Sequence, residues 1–148
     1  MLHFLCPLLF VCLLVQVSVC DIRTMQIPDR LNLAILLLGL CRQILLCGNS
    51  WQQAAVSVLA GMLAAALPMY ALAAAFPGSL GGGDIKMTGA CGVYLGAAGV
   101  LRGTAAAMTA AGIFACGCVL LRRKKARQVF PLGPFLAAGF LYQMMCSS

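Results

Sequence analysis

Only three side chains in this 148-residue chain are acidic, and two of them, Asp21 and Asp84, sit where a long apolar stretch meets a polar loop. A carboxylate beside a bilayer is costly to keep, so one retained at a membrane edge points to function. Two aspartates facing each other can hydrolyse a peptide bond. One, as base, activates water; the other, as acid, protonates the carbonyl and then the leaving amine. They share a proton because like charges a few ångströms apart cannot both ionise cheaply. The third acid, Asp29, follows Pro28 and precedes the apolar run beginning at Leu31. That position suits a helix N-cap.

Other chemistries lack their residues. The one histidine, His3, lies at the extreme N-terminus, where an interfacial role is expected and Ser–His or Cys–His catalysis is not. Three carboxylates and one remote histidine build no metal cage, so neither metal nor cofactor is expected. Gly81-Gly82-Gly83 is followed by Asp84 rather than by the lysine and hydroxyl residue of a phosphate-binding loop. The nine cysteines are scattered through apolar sequence without a C-x-x-C pair. They read as small packing residues, and their odd number argues against a disulfide framework.

Long helices must carry these residues. The chain is 63% hydrophobic, with a mean hydropathy of +1.01, well beyond the roughly half-apolar content of soluble domains. A membrane-spanning helix needs about 20 apolar residues. Segments 2–20, 31–47, 54–76 and 130–146 fit, with a kink expected at Pro68. Segment 2–20 lacks the positive start and small-residue cleavage site of a removable signal and is read as a retained span. Stretch 87–121 would run about 50 Å as one helix, too long for a hydrocarbon core of about 30 Å. Two short spans hinged at Arg102-Gly103 are expected instead. The fold class is therefore an all-α integral membrane protein of about six transmembrane helices, forming one domain over 1–148.

The charges give an independent topology. Arg23, Arg30, Lys86 and the five basic residues of the run 122–127 fall in the first, third and fifth loops, with only Arg42 and Arg102 opposite. This bias puts those three loops, with Asp21 and Asp84, in the cytoplasm and both termini outside. The basic run reads as a cytoplasmic loop near lipid headgroups, not as a nucleic-acid site.

Three blocks now stand in order: Asp21 followed seven residues later by Pro28; Gly81-Gly82-Gly83-Asp84-Ile85-Lys86; and Pro131-Leu132-Gly133-Pro134-Phe135-Leu136-Ala137-Ala138-Gly139. Together they resemble the type IV prepilin peptidases, a family of GxGD membrane aspartic proteases. The resemblance implies a GxGD bundle with Asp21 and Asp84 as the catalytic pair and Gly81, Gly83, Lys86 and Pro28 as motif or substrate-positioning residues. Gly81 and Gly83 would let the backbone pass close to the substrate strand. Lys86 and Arg23 would tune the pair or anchor to headgroups.

The implied substrate is a prepilin-like precursor (prepilin, pseudopilin, Flp/Tad-type or flagellin-like), cut at the cytoplasmic face of the cell membrane. Its other partner is lipid, and homo-oligomerisation is left open. Larger members carry a tetracysteine zinc insertion associated with methylation; this chain has no C-x-x-C pairs, so methyltransferase activity is not assigned to it. The rival from another class is a transporter or assembly component using the same aspartates for protons or cations. Such carboxylates usually lie near the bilayer midplane, not at loop boundaries on one face.

Overall fold

A computed structural model describes residues 2–47, 50–75, 80–120 and 131–146. These form five helices: α1 (Leu2–Thr24), α2 (Asp29–Cys47), α3 (Trp51–Ala75), α4 (Gly82–Leu120) and α5 (Gly133–Cys146). Three helices, α1, α3 and α4, are long and apolar enough to cross a membrane. The chain is an all-α membrane protein. The basic run 122–127 and the side chain of His3 lie outside the described residues, as does Phe130 at the start of the last expected span.

The sequence explains where the helices stop. Met25 leaves α1 in the left-handed conformation (φ 50) while its N–H still donates to the Asp21 carbonyl at 2.9 Å. This is a single-bond left-handed cap, made without the usual glycine. Pro28 then holds Ile27 out of the helical region. α2 begins on the Pro28 carbonyl, which accepts from the N–H groups of Leu31 and Asn32 at 3.0 and 3.4 Å. Asp29 is therefore the first helical residue rather than the expected N-cap. Its carboxylate instead meets Lys86 Nζ at 2.9 and 3.1 Å.

α4 is the centre of the packing and contacts α2, α3 and α5. α3 continues through Pro68, whereas α4 breaks at Gly96, with φ 76 and ψ 169. The expected hinge at Arg102-Gly103 is thus displaced to Gly96. Only glycine adopts that backbone conformation readily, and a Cβ there would meet nothing within 4 Å, so conformation rather than space requires it. Gly103 serves packing: a Cβ would lie 2.8 Å from Phe140 Cδ1. α2 caps the end of the first limb. Gln43 Nε2 donates to the Val93 carbonyl at 3.0 Å and Arg42 Nη1 to the Tyr94 carbonyl at 2.7 Å. A break at Gly96 withdraws the helical donors these carbonyls would otherwise use.

Small residues set the spacing. A methyl on Gly61 of α3 would overlap the Gly92 carbonyl of α4, and a methyl on Gly92 would overlap the Gly61 carbonyl. Such backbone contact is how helices pack where lipid removes the hydrophobic incentive to associate. Phe135 meets Phe114 at 5.4 Å between ring centroids, while Gly139 abuts Gly103 and Gln143 approaches Gly99. The second limb of α4 therefore runs antiparallel to α5, back toward the end that carries Asp21. α1 packs on α2 and α5 and reaches α4 through Phe10, stacked on Tyr94 with centroids 4.0 Å apart. Phe10, Leu14 and Val17 face this core with Ile35, Met87, Leu136 and Phe140.

Candidate active site

Asp84 is oriented by its own helix. Gly81 is the N-cap of α4: its carbonyl accepts from the Asp84 N–H at 3.1 Å. The Gly81 N–H returns a bond to Asp84 Oδ2 at 3.2 Å. The second bond is the returning half of a capping box, made by aspartate in place of the commoner glutamate; Gly81 has no side chain to make the other half. Thr88 adds a third local bond, donating to the Asp84 carbonyl at 2.6 Å. The two motif glycines thus have separate tasks. A Cβ on Gly81 would lie 3.2 Å from Asp84 Oδ2, and one on Gly83 would lie 3.1 Å from Ile27 Cβ. Gly81 makes room for the carboxylate, and Gly83 lets the α1–α2 link close over the start of α4.

Asp21 is oriented from across the molecule. It lies one turn before the end of α1 and is only 5% exposed. Its Oδ2 accepts from the Gly133 N–H at 2.7 Å, a buried bond between residues 112 positions apart. Gly133 is the first residue of α5, because the Leu132 carbonyl before it accepts from Phe135 and Leu136 at 3.0 and 3.1 Å. Its N–H is thus one of the helix-start donors without an intrahelical partner. Pro134 follows, at a position where a missing N–H costs little.

Asp21 and Asp84 line one cleft of about 260 Å³, with Met25, Gln26, Ile27, Asp29 and the three glycines Gly81, Gly82 and Gly83. Two of the other sequence-selected residues are not part of its lining. Pro28 starts α2 through its carbonyl, and Lys86 pairs with Asp29 with the two side chains 61% and 73% exposed. An exposed pair of this kind is worth about 0.2–1 kcal/mol, and it ties Lys86 to Asp29, which lines the cleft. Arg23 is exposed.

Met25, Gln26 and Ile27 had no signal beyond their place after Asp21. Gly133 had a faint one, a Gly-Pro pair opening an apolar helix. Among the described residues, no three His, Cys, Asp or Glu side chains cluster as metal ligands. Two carboxylates in one half-enclosed cleft, with glycine backbone along one wall, can bracket a water molecule and an extended peptide.

The model of the Type IV leader peptidase family matches residues 8–116 of the chain, which include both aspartates. The prepilin leader peptidase/N-methyltransferase of Bacillus subtilis is 31% identical over 130 residues, covering 88% of this chain and 51% of that protein. The protein of the same name from Burkholderia pseudomallei strain 1026b is 30% identical over 128 residues, covering 85% and 41%. The chain therefore spans about half the length, or less, of the curated relatives it matches. No solved structure matches it.

Proposed function

Because this chain belongs to the Type IV leader peptidase family, we propose that it is a membrane aspartic endopeptidase that removes the leader of prepilin-like precursors, with Asp21 and Asp84 as the catalytic pair. The observation that carries the reading is that these two acids, one ending α1 and the other starting α4, line a single cleft. The relatives' names supply the substrate class.

In the proposed reaction one aspartate takes a proton from water as the water oxygen attacks the scissile carbonyl. The other aspartate gives its proton to the carbonyl oxygen. Collapse of the tetrahedral adduct breaks the C–N bond, and a proton passes to the leaving nitrogen. The leader gains a carboxylate and the mature protein a free amine. The pair recovers its single shared proton. No serine or cysteine nucleophile enters, and the pH profile is bell-shaped with both limbs belonging to the coupled pair.

In the same reading, α1, α2, α3, the two limbs of α4 and α5 are six membrane segments. Loops one, three and five, and with them the cleft, face the cytoplasm, as the distribution of basic residues indicates. The substrate's apolar helix lies in the bilayer, with its scissile bond at that face.

The test is cleavage of a leader-bearing prepilin in detergent, with and without chelator, repeated on a variant lacking all nine cysteines. Turnover in every case is expected. Inhibition by chelator reversed by zinc would sink the mechanism, as would loss of turnover in a folded cysteine-free protein. Labelling of single cysteines by an impermeant reagent tests the topology: loop-five positions stay unlabelled in intact cells, and their labelling would reverse the orientation.

A further inference from the structure

We infer that Gly133, at the start of α5, is a positioning residue for Asp21, acting through its backbone N–H and through its lack of a Cβ. The inference rests on the catalytic reading of Asp21 given above. It starts from two features of one contact. The Gly133 N–H meets Asp21 Oδ2 at 2.7 Å in a buried setting. A Cβ on Gly133 would lie 2.7 Å from Oδ2, 2.9 Å from the Asp21 Cβ and 3.0 Å from Cγ. The first two of these distances are shorter than real Cβ contacts, so any side chain at 133 must displace the carboxyl group or helix α5.

The contact has a chemical consequence. A hydrogen bond from a neutral N–H to a carboxylate is shorter and about twice as strong as one between neutral groups. Here the donor is a helix-start N–H with no other partner to take, so the bond fixes the carboxyl group without competing with the helix. With Oδ2 held, Oδ1 is the oxygen left to exchange a proton in the reaction. Asp84 needs no such help, because Gly81 holds it from within its own helix. Gly133 thus sets where Asp21 stands relative to a partner already fixed. A misplacement of about 1 Å in a reacting group can cost about 100-fold in rate.

The experiment removes the donor and the space separately, using the full chain in detergent and a leader-bearing prepilin as substrate. Glycolate incorporated in place of Gly133 replaces the N–H by an ester oxygen and adds no Cβ; Gly133→Ala keeps the N–H and adds one. Each is expected to lower kcat by about tenfold or more with KM within about twofold, because Gly133 touches Asp21 and not substrate. The contact is read without activity from the Gly133 amide resonance of the ¹⁵N-glycine-labelled protein. That resonance lies downfield in the wild-type chain and moves upfield in Asp21→Ala.

An amide resonance indifferent to Asp21→Ala overturns the contact and the proposal with it. An amide that responds, together with wild-type kcat in the glycolate protein, overturns the positioning role and leaves the aspartic mechanism standing. Wild-type turnover by Asp21→Ala would instead bring down the catalytic reading itself, and Gly133's role with it. Should Gly133→Ala fail to fold, the glycolate protein still decides the matter.

Discussion

Asp84 takes its hydrogen bond from Gly81, three residues before it, whereas Asp21 takes its own from Gly133, on another helix. The first carboxylate belongs to a helix-start motif that any chain with the sequence Gly81-Gly82-Gly83-Asp84 can form as soon as α4 begins. The second is set only when α5 docks against α1. Burial follows the same division: Asp84 is half-buried at the rim of the cleft, whereas Asp21 is buried. A pair built this way has one member oriented by its own helix start and one oriented only in the assembled bundle. In the proposed mechanism the orientation of the Asp21 carboxylate then depends on the docking of α5, and that of the Asp84 carboxylate on its own helix start.

The largest effect expected is on the pair itself. Asp21→Asn and Asp84→Asn each lower cleavage of a co-expressed prepilin by about 1,000-fold, since general acid–base groups contribute about 10²–10⁴ and asparagine cannot exchange the proton. The readout is the mobility shift of the processed pilin. Substantial activity in Asp21→Asn alongside a dead Asp29→Asn would mean that the wrong two acids have been paired.

Gly81→Ala probes the local arm of the comparison. The added Cβ sits 3.2 Å from Asp84 Oδ2, so the carboxylate must shift by a few tenths of an ångström, and kcat should fall by roughly tenfold. Because the perturbation stays within one helix turn, the unfolding midpoint should barely move. A large loss of stability with kcat per folded molecule intact would show that Gly81 serves packing instead.

Gly96→Ala asks whether Asp84 is independent of the far end of its helix. Alanine at φ 76 and ψ 169 costs about 1–3 kcal/mol, measurable by denaturant titration in mild detergent. If the bonds to Gly81 alone position Asp84, kcat per folded molecule stays within about twofold of wild type. A larger drop would tie Asp84, too, to tertiary structure.

The smallest effects belong to the wall. Asp29→Asn and Lys86→Met each remove an exposed ion pair worth about 0.2–1 kcal/mol and should leave most of the activity. The difference from wild type should shrink further at high salt, where exposed charges are screened. A salt-insensitive loss of more than about tenfold in either variant would give the pair a role beyond bracing the start of α2 against the start of α4.

Candidate residues and local structure could be read from the sequence because both depend on short stretches. Three acids in a strongly apolar chain narrowed the candidates to Asp21 and Asp84, and long apolar runs made helices the only economical way to satisfy the backbone in lipid. The glycines before Asp84 signalled a special backbone. Their tasks, room for the Asp84 carboxylate and for Ile27, depended on which atoms came close. The break in α4 shows the limit most plainly. Arg102-Gly103 looked like the hinge because a charge interrupts the apolar run there, yet Gly103 packs against Phe140 while the break falls at Gly96, where Arg42 and Gln43 of α2 can cap the freed carbonyls. The same holds for Asp29, placed by its neighbours at a cap and taken by Lys86 from 57 residues away. Local patterning decides which segments are helices and where carboxylates are retained, because those energies are set within a turn or two. Partners such as Gly133 for Asp21 are decided by how helices far apart in sequence pack, since the bond exists only once α5 has brought its unpaired N–H to the end of α1.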